Sequence, residues 1–270
     1  MPAEGDSPGG RDVPRIAHIA TWLGVIAIPA VGWFVQDWSG ATTLAVYWFE
    51  TLALCLLVIA RIALHQRWTP RRGHFRYRAP STARRSAPTS SFISGFALVS
   101  IGFSAAHGVF LGIIVLLLTA NGHHDLIDLD WRSVGFGCLG VMLFLLLDFV
   151  LDLLSLRQWS FWQVEQTANR GLSRVVVVHL TLIFGMVGIA VTDAPTALFS
   201  AFVVLKSLSA LSFAVPQWEP KEPPKWLSRA MNRAPNVHPG ESFEEFWVQD
   251  RTDESARRAA NEQPWPTSRP

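Results

Sequence analysis

Tyr47, Glu50, Ser104, His107, Asp148, Asp152, His179 and Lys206 are the side chains of this chain whose types and spacing could do chemistry, and every one falls inside a long apolar run. A carboxylate near the centre of a bilayer costs about 2.5–3.5 kcal/mol on insertion scales, so such a group must face protein or water and have a partner. Glu50 is the main case. It shares a stripe with Thr43 and Tyr47, at i, i+4 and i+7 of one helical face. That stripe reads either as packing, with Glu50 protonated and bonded to a neighbouring helix, or as a proton or cation site.

The remaining groups follow the same logic. Ser100, Ser104 and His107 repeat the i, i+4, i+7 pattern, and His107 lies at nearly the depth of Glu50, so a Glu50–His107 hydrogen bond is the preferred pairing. Asp148 and Asp152 are one turn apart and repel if both ionise, which asks for a proton on one or a cation between them. Arg174 and His179 sit at suitable depths to supply that partner. Lys206 at mid-membrane demands an ion pair, with Asp148 first and Glu50 second.

Other chemistry finds little support. No GxSxG or HExxH pattern is present, so no catalytic residue is assigned. The outer loop with His123, His124, Asp125, Asp128 and Asp130 matches neither zinc nor EF-hand spacing and reads as a solvated acidic loop, so no metal and no cofactor are expected. Haem ligation by His107 and His179 suffers from a depth difference of roughly 9 Å at 1.5 Å per residue. The two cysteines, Cys55 and Cys138, read as small core residues.

The elements that must position these groups are apolar runs of membrane length. Half of the 270 residues are hydrophobic and 16% are charged, too apolar for an ordinary soluble domain. Six runs, about 16–38, 41–64, 91–119, 134–156, 175–192 and 197–215, each suffice to cross roughly 30 Å of hydrocarbon as a helix. None alternates as a barrel strand does. The fold class is therefore all-α, a membrane-embedded bundle of six transmembrane helices.

Charge orients the bundle. Seventeen Lys and Arg residues fall in the N-tail, the segments after the second and fourth runs and the first part of the C-tail, against Arg132 alone in the alternate loops. Both termini are thus expected in the cytoplasm. Residues 1–15 read as a disordered tail, 65–90 as a basic cytosolic linker, and 216–270 as a mostly disordered C-tail with an interfacial helix at 224–234. In the linker Arg71, Arg72, Arg76, Arg78, Arg84 and Arg85 are expected to meet anionic lipid headgroups at about 1 kcal/mol per basic residue. Orientation explains these arginines, so nucleic acid is not an expected partner; a second copy or another membrane protein is an open one.

The Tyr47-Trp48-Phe49-Glu50 element, the Phe103 to Phe110 stretch with His107-Gly108, the Arg174 to His179 stretch and the helix of Lys206 together resemble a family of uncharacterised prokaryotic integral membrane proteins, a domain of unknown function. The resemblance covers roughly Ile16 to Val215. It implies a membrane core and weight on Glu50, His107, His179 and Lys206, and it carries no activity. Two readings of function follow: a small-solute or proton transporter of the plasma membrane, or a non-catalytic scaffold whose buried charges fix helix packing.

Overall fold

The computed structural model describes residues 9–80, 90–120, 122, 128–173, 176, 180, 195–212, 220, 222–233 and 242–266. Apart from residues 176 and 180, the expected fifth run at 175–192, with His179, lies outside the described residues, as do Arg84, Arg85, Arg174 and the loop residues His123 to Asp125. The described residues are helical, without a β-strand: α1 Gly9–Val35, α2 Gly40–Trp68, α3 Arg72–Phe75, α4 Phe92–Ala120, α5 Trp131–Ser155, α6 at residues 161–173, α7 Pro195–Ser212, α8 Lys225–Met231 and α9 Phe243–Glu262. Four of these stretches, Ile16–Val35, Gly40–Trp68, Phe92–Leu117 and Trp131–Gln158, are long and apolar enough to cross a membrane.

The bundle is built on α2. Its apolar window is 56% buried, against 22%, 22% and 28% for the other three, because α1, α4 and α5 all pack on it while they turn a face outward. Those outward faces are apolar: Leu98, Leu116, Leu139 and Leu154 are exposed, an arrangement that suits hydrocarbon and not water. Ser39 caps α2 by accepting from the Thr42 amide at 3.1 Å. Pro70 follows its last turn.

Between α1 and α2 the chain reverses through Asp37, whose φ is +52°, and Trp38 folds back onto Gly32. A Cβ at Gly32 would collide with that indole, and one at Gly137 would meet it from α5, so both glycines make room for a ring wedged between α1, α2 and α5. Beneath it Val25, Val46, Val58, Val141 and Leu145 form the main apolar core. A second cluster, Leu44, Tyr47, Ile114, Phe202 and Val203, joins α2 to α4 and α7.

Within 65–90, expected as a basic linker, α2 continues through Trp68 and α3 follows. The C-tail, expected to be mostly disordered, contains the 20-residue helix α9. Its start is fixed by a capping box in which Ser242 accepts from the Glu245 amide and Glu245 accepts from the Ser242 amide. Its last turns lie against α3 and the segment after it.

Candidate functional site

The apolar surroundings of α2 hold two ionic clusters. In the first, α2 presents Tyr47 and Glu50 one turn apart, and α7 brings Lys206 between them. The Lys206 ammonium donates to Glu50 Oε2 and stands 3.4 Å from the centroid of the Tyr47 ring, so the cation meets a carboxylate and an aromatic face at once. All three side chains are buried. Phe202, one turn before Lys206 on α7, packs edge-on against Tyr47 at 5.5 Å and closes the apolar wall. Lys206 therefore takes Glu50, the second of its two expected partners, and not Asp148. The reason is geometric: α7 packs on α1 and on the half of α2 that carries Leu44 and Tyr47, away from the α5 end where Asp148 lies.

Ser104 and His107 belong to the buried face of α4, which also contains Ser100 and Ile114. Ser104 donates back to the Ser100 carbonyl at 2.8 Å, and its hydroxyl lies 4.0 Å from the Cys55 sulfur of α2. Trp48 donates to the Ser104 carbonyl at 3.0 Å. Among the described residues a Cβ added at Gly108 would meet the Trp48 ring, and one added at Gly112 would meet nothing within 4 Å.

The second cluster lies toward the end of α2 that leads into the basic linker. Arg61 Nη2 donates to Asp148 Oδ2 at 2.9 Å and Arg61 Nε to Asp152 Oδ2 at 2.6 Å, so one guanidinium spans two carboxylates a turn apart on α5. From α1, His18 Nδ1 lies 2.8 Å from Asp148 Oδ1 and His18 Nε2 lies 3.6 Å from Asp152 Oδ1. Thr21 adds a 3.4 Å hydrogen bond to Asp148 Oδ1. Two carboxylates and one guanidinium leave one negative charge, which a protonated His18 cancels. Arg61 and both aspartates are buried, whereas the His18 side chain keeps 31% of its surface exposed.

The cation demanded by the Asp148/Asp152 pair is thus Arg61, with His18 beside it. Neither is among the residues that the sequence marks for chemistry. Arg61 lies near the end of the second apolar run and counts there among the basic residues that orient the bundle. His18 lies near the start of the first run, and its position three residues before Thr21 is the signal that could have found it.

A third group of buried polar residues closes the basic end. Arg257 of α9 pairs with Glu165 of α6 at 2.9 Å and with Glu254 at 2.7 Å, and Tyr77 donates to Glu165 at 2.6 Å. Burial, with Glu165 beside it, pushes the Tyr77 hydroxyl well above the ordinary phenol range. Arg71 reaches Glu262 at 3.3 Å, Arg72 donates to the Gln263 side chain at 2.9 Å, Arg76 stands over the Trp265 ring and the Arg78 amide donates to Asn261. Four of the six arginines assigned to headgroups accordingly lie against the C-terminal segment.

At the opposite end a cleft of about 440 Å³ is lined by Trp33, Trp38, Asp37, Asp128 and Asp130 among others. Asp130 caps α5, and its carboxyl is held below the ordinary range by hydrogen bonds from the Ser133 hydroxyl and the Arg132 amide. Among the described residues no group of three His, Cys, Asp or Glu side chains is placed to hold a metal ion.

A family of unknown function, DUF6498, matches residues 11–225. The chain belongs to this family. No curated protein and no solved structure matches it. The DUF6498 region contains both ionic clusters, Glu50–Lys206 and Arg61–Asp148–Asp152–His18, together with α3 and α6. The match stops before α9, the helix that supplies Arg257.

Proposed function

We propose that the chain is a multi-pass protein of the plasma membrane that moves a proton or a small cation, with Glu50 as the group that gains and loses charge. The observation that carries this reading is the Glu50–Lys206 pair, buried between α2 and α7 with Tyr47 against the ammonium. A buried ion pair is seldom the most stable filling of such a space, since apolar residues of equal volume often do as well or better. Ionisable groups held inside membrane helices mark ion and proton paths. Protonation of Glu50 removes its attraction for Lys206 and leaves the ammonium held by the ring face, so the α2–α7 contact has two states that a proton selects. Arg61, Asp148 and Asp152, with the partly exposed His18, lie on the side of the linker, where a proton would pass between bundle and water.

Six crossings with both termini in the cytoplasm belong to this reading and are supported by the seventeen-to-one distribution of basic residues. The same orientation turns the arginine-rich end toward anionic headgroups. A second reading, a scaffold whose charges lock helix register, is favoured by one observation: all four carboxylate oxygens of Asp148 and Asp152 have a partner.

Purified protein in liposomes loaded with a pH-sensitive dye separates the two. A transporter acidifies the lumen under an imposed gradient, and Glu50→Gln abolishes the flux while the protein stays folded. Wild-type vesicles no leakier than empty ones sink the transport reading and leave the scaffold.

A further inference from the structure

His65 of α2 and His74 of α3 are fully buried at the basic end, and the transport reading makes no use of either. Their hydrogen bonds run in one direction only. His65 Nε2 lies 3.0 Å from the Trp159 carbonyl, which can only accept, so that nitrogen carries a hydrogen. The Arg71 amide donates to His74 Nδ1 at 3.0 Å, so that nitrogen is bare. Between the rings, His74 Nε2 then donates to His65 Nδ1 across 3.0 Å. Both imidazoles are neutral and both lone pairs are already filled by N–H groups. A proton arriving on either ring must displace one of these bonds.

The bond at risk holds the backbone on which α9 docks. Arg71 is extended, and its far side pairs with Pro264. The neighbouring Arg72 amide donates to the Gln263 carbonyl at 2.7 Å, and the Trp265 amide donates to the Pro70 carbonyl at 3.1 Å. A proton on His74 Nδ1 would point at the Arg71 amide. The ring would have to turn toward the Arg71 carbonyl, 3.3 Å from the same nitrogen.

We propose that the His65–His74 pair is a proton-sensitive latch for the C-terminal helix: neutral rings hold α9 on the basic end, and protonation of the pair releases it. The groups facing the pair are few. Arg71 and, beyond it, Glu262 approach from the docking side, and Phe161 of α6 packs edge-on to His74 at 5.0 Å. Phe161 in turn donates its amide to Glu262 at 2.7 Å, and Tyr77 and Glu165 lie across its ring. From the end of α5, Arg157 stands over Trp68. Burial first, and then the repulsion that a proton on His65 would add, hold His74 down at about 4 from an ordinary 6.5. The docked state therefore binds fewer protons than the released one. Docking is at full strength above 6.5, weakens as the pH falls from 6.5 toward 4, and loses no more below that. Between pH 7.5 and pH 5 the docking equilibrium falls, with about 30-fold as the ceiling reached where release exposes the His74 ring completely.

Hydrogen–deuterium exchange of residues 243–266, in the full chain in lipid nanodiscs and corrected for the chemical pH dependence of exchange, reads this directly. The wild type is expected to lose protection between the two pH values, by no more than about 30-fold. His74→Asn keeps an acceptor for the Arg71 amide without a titrating ring and should show the same protection at both; His65→Gln serves if that variant fails to fold. Glu262→Gln should lower protection equally at both pH values and leave the ratio intact. Wild-type protection that does not change, or a His74→Asn protein that still releases α9 at pH 5, overturns the latch. Glu50→Gln should leave the pH response unaltered, which separates this result from the transport reading.

Discussion

Arg61 between Asp148 and Asp152, and Arg257 between Glu165 and Glu254, are the same arrangement in two surroundings: one guanidinium shared by two carboxylates. The first is held by α1, α2 and α5 among membrane-length helices. The second joins α6 to α9 at the basic end. Their difference is what happens when a partner is lost. In the bundle a stranded charge is buried among long helices packed on one another, and only the neighbouring His18 side chain is partly exposed. At the basic end α9 can lift away and let water replace the missing contact. The deep cluster should therefore behave as part of the fold, and the shallow one as a clasp.

The sharpest way to break that comparison is Arg61→Met. It strands two carboxylates beside each other and should cost about 3–5 kcal/mol, seen as a large drop in the unfolding midpoint in detergent. Arg61→Met/Asp148→Asn/Asp152→Asn, with no charge left to bury, should recover most of the loss. Lys206→Met strands one carboxylate, which a proton can neutralise, so the expected cost is about 3 kcal/mol, at the lower end of that range. Adding Glu50→Gln should reduce it. A triple or double variant as damaged as its single parent would mean that these pairs hold the bundle by shape and not by charge.

Arg257→Met tests the other side. Its cost should stay near 1–3 kcal/mol, that of leaving a buried polar group unmatched, because undocking of α9 sets the ceiling. Exchange across 243–266 should rise while the unfolding midpoint of the membrane helices stays put. A fall in that midpoint comparable with Arg61→Met would erase the distinction between lock and clasp.

Much of the deep region was legible in the sequence. Four of the apolar runs read as spanning helices are long, apolar helices, because run length and composition are local properties. That Lys206 and the Asp148/Asp152 pair each needed company followed from the cost of burying charge. Which partner each took did not follow. The Asp148–Arg61 contact spans 87 residues and the His18–Asp148 contact 130, and the order in which helices pack is not written in any one of them. The clasp was illegible for another reason. α9 is polar and gains its stability from partners far along the chain, so hydropathy says nothing of it. Its start was nonetheless readable, since Ser242 and Glu245 are spaced as a capping box.

Tyr77→Phe should have the smallest effect and divides the clasp most finely. The Tyr77 ring packs 4.7 Å from Phe92 and 6.1 Å from Phe161, and phenylalanine keeps both contacts. The hydroxyl shares Glu165 Oε1 with Arg257, so its removal leaves the carboxylate still neutralised by the guanidinium. One hydrogen bond to a charged acceptor is lost and no charge is stranded, which sets the cost at about 1.5 kcal/mol, the low end for such bonds. Exchange of α9 should rise about tenfold and the bundle should not respond. A loss equal to that of Arg257→Met would mean that Glu165 is held by the phenol as much as by the arginine, and that the clasp closes from the linker side.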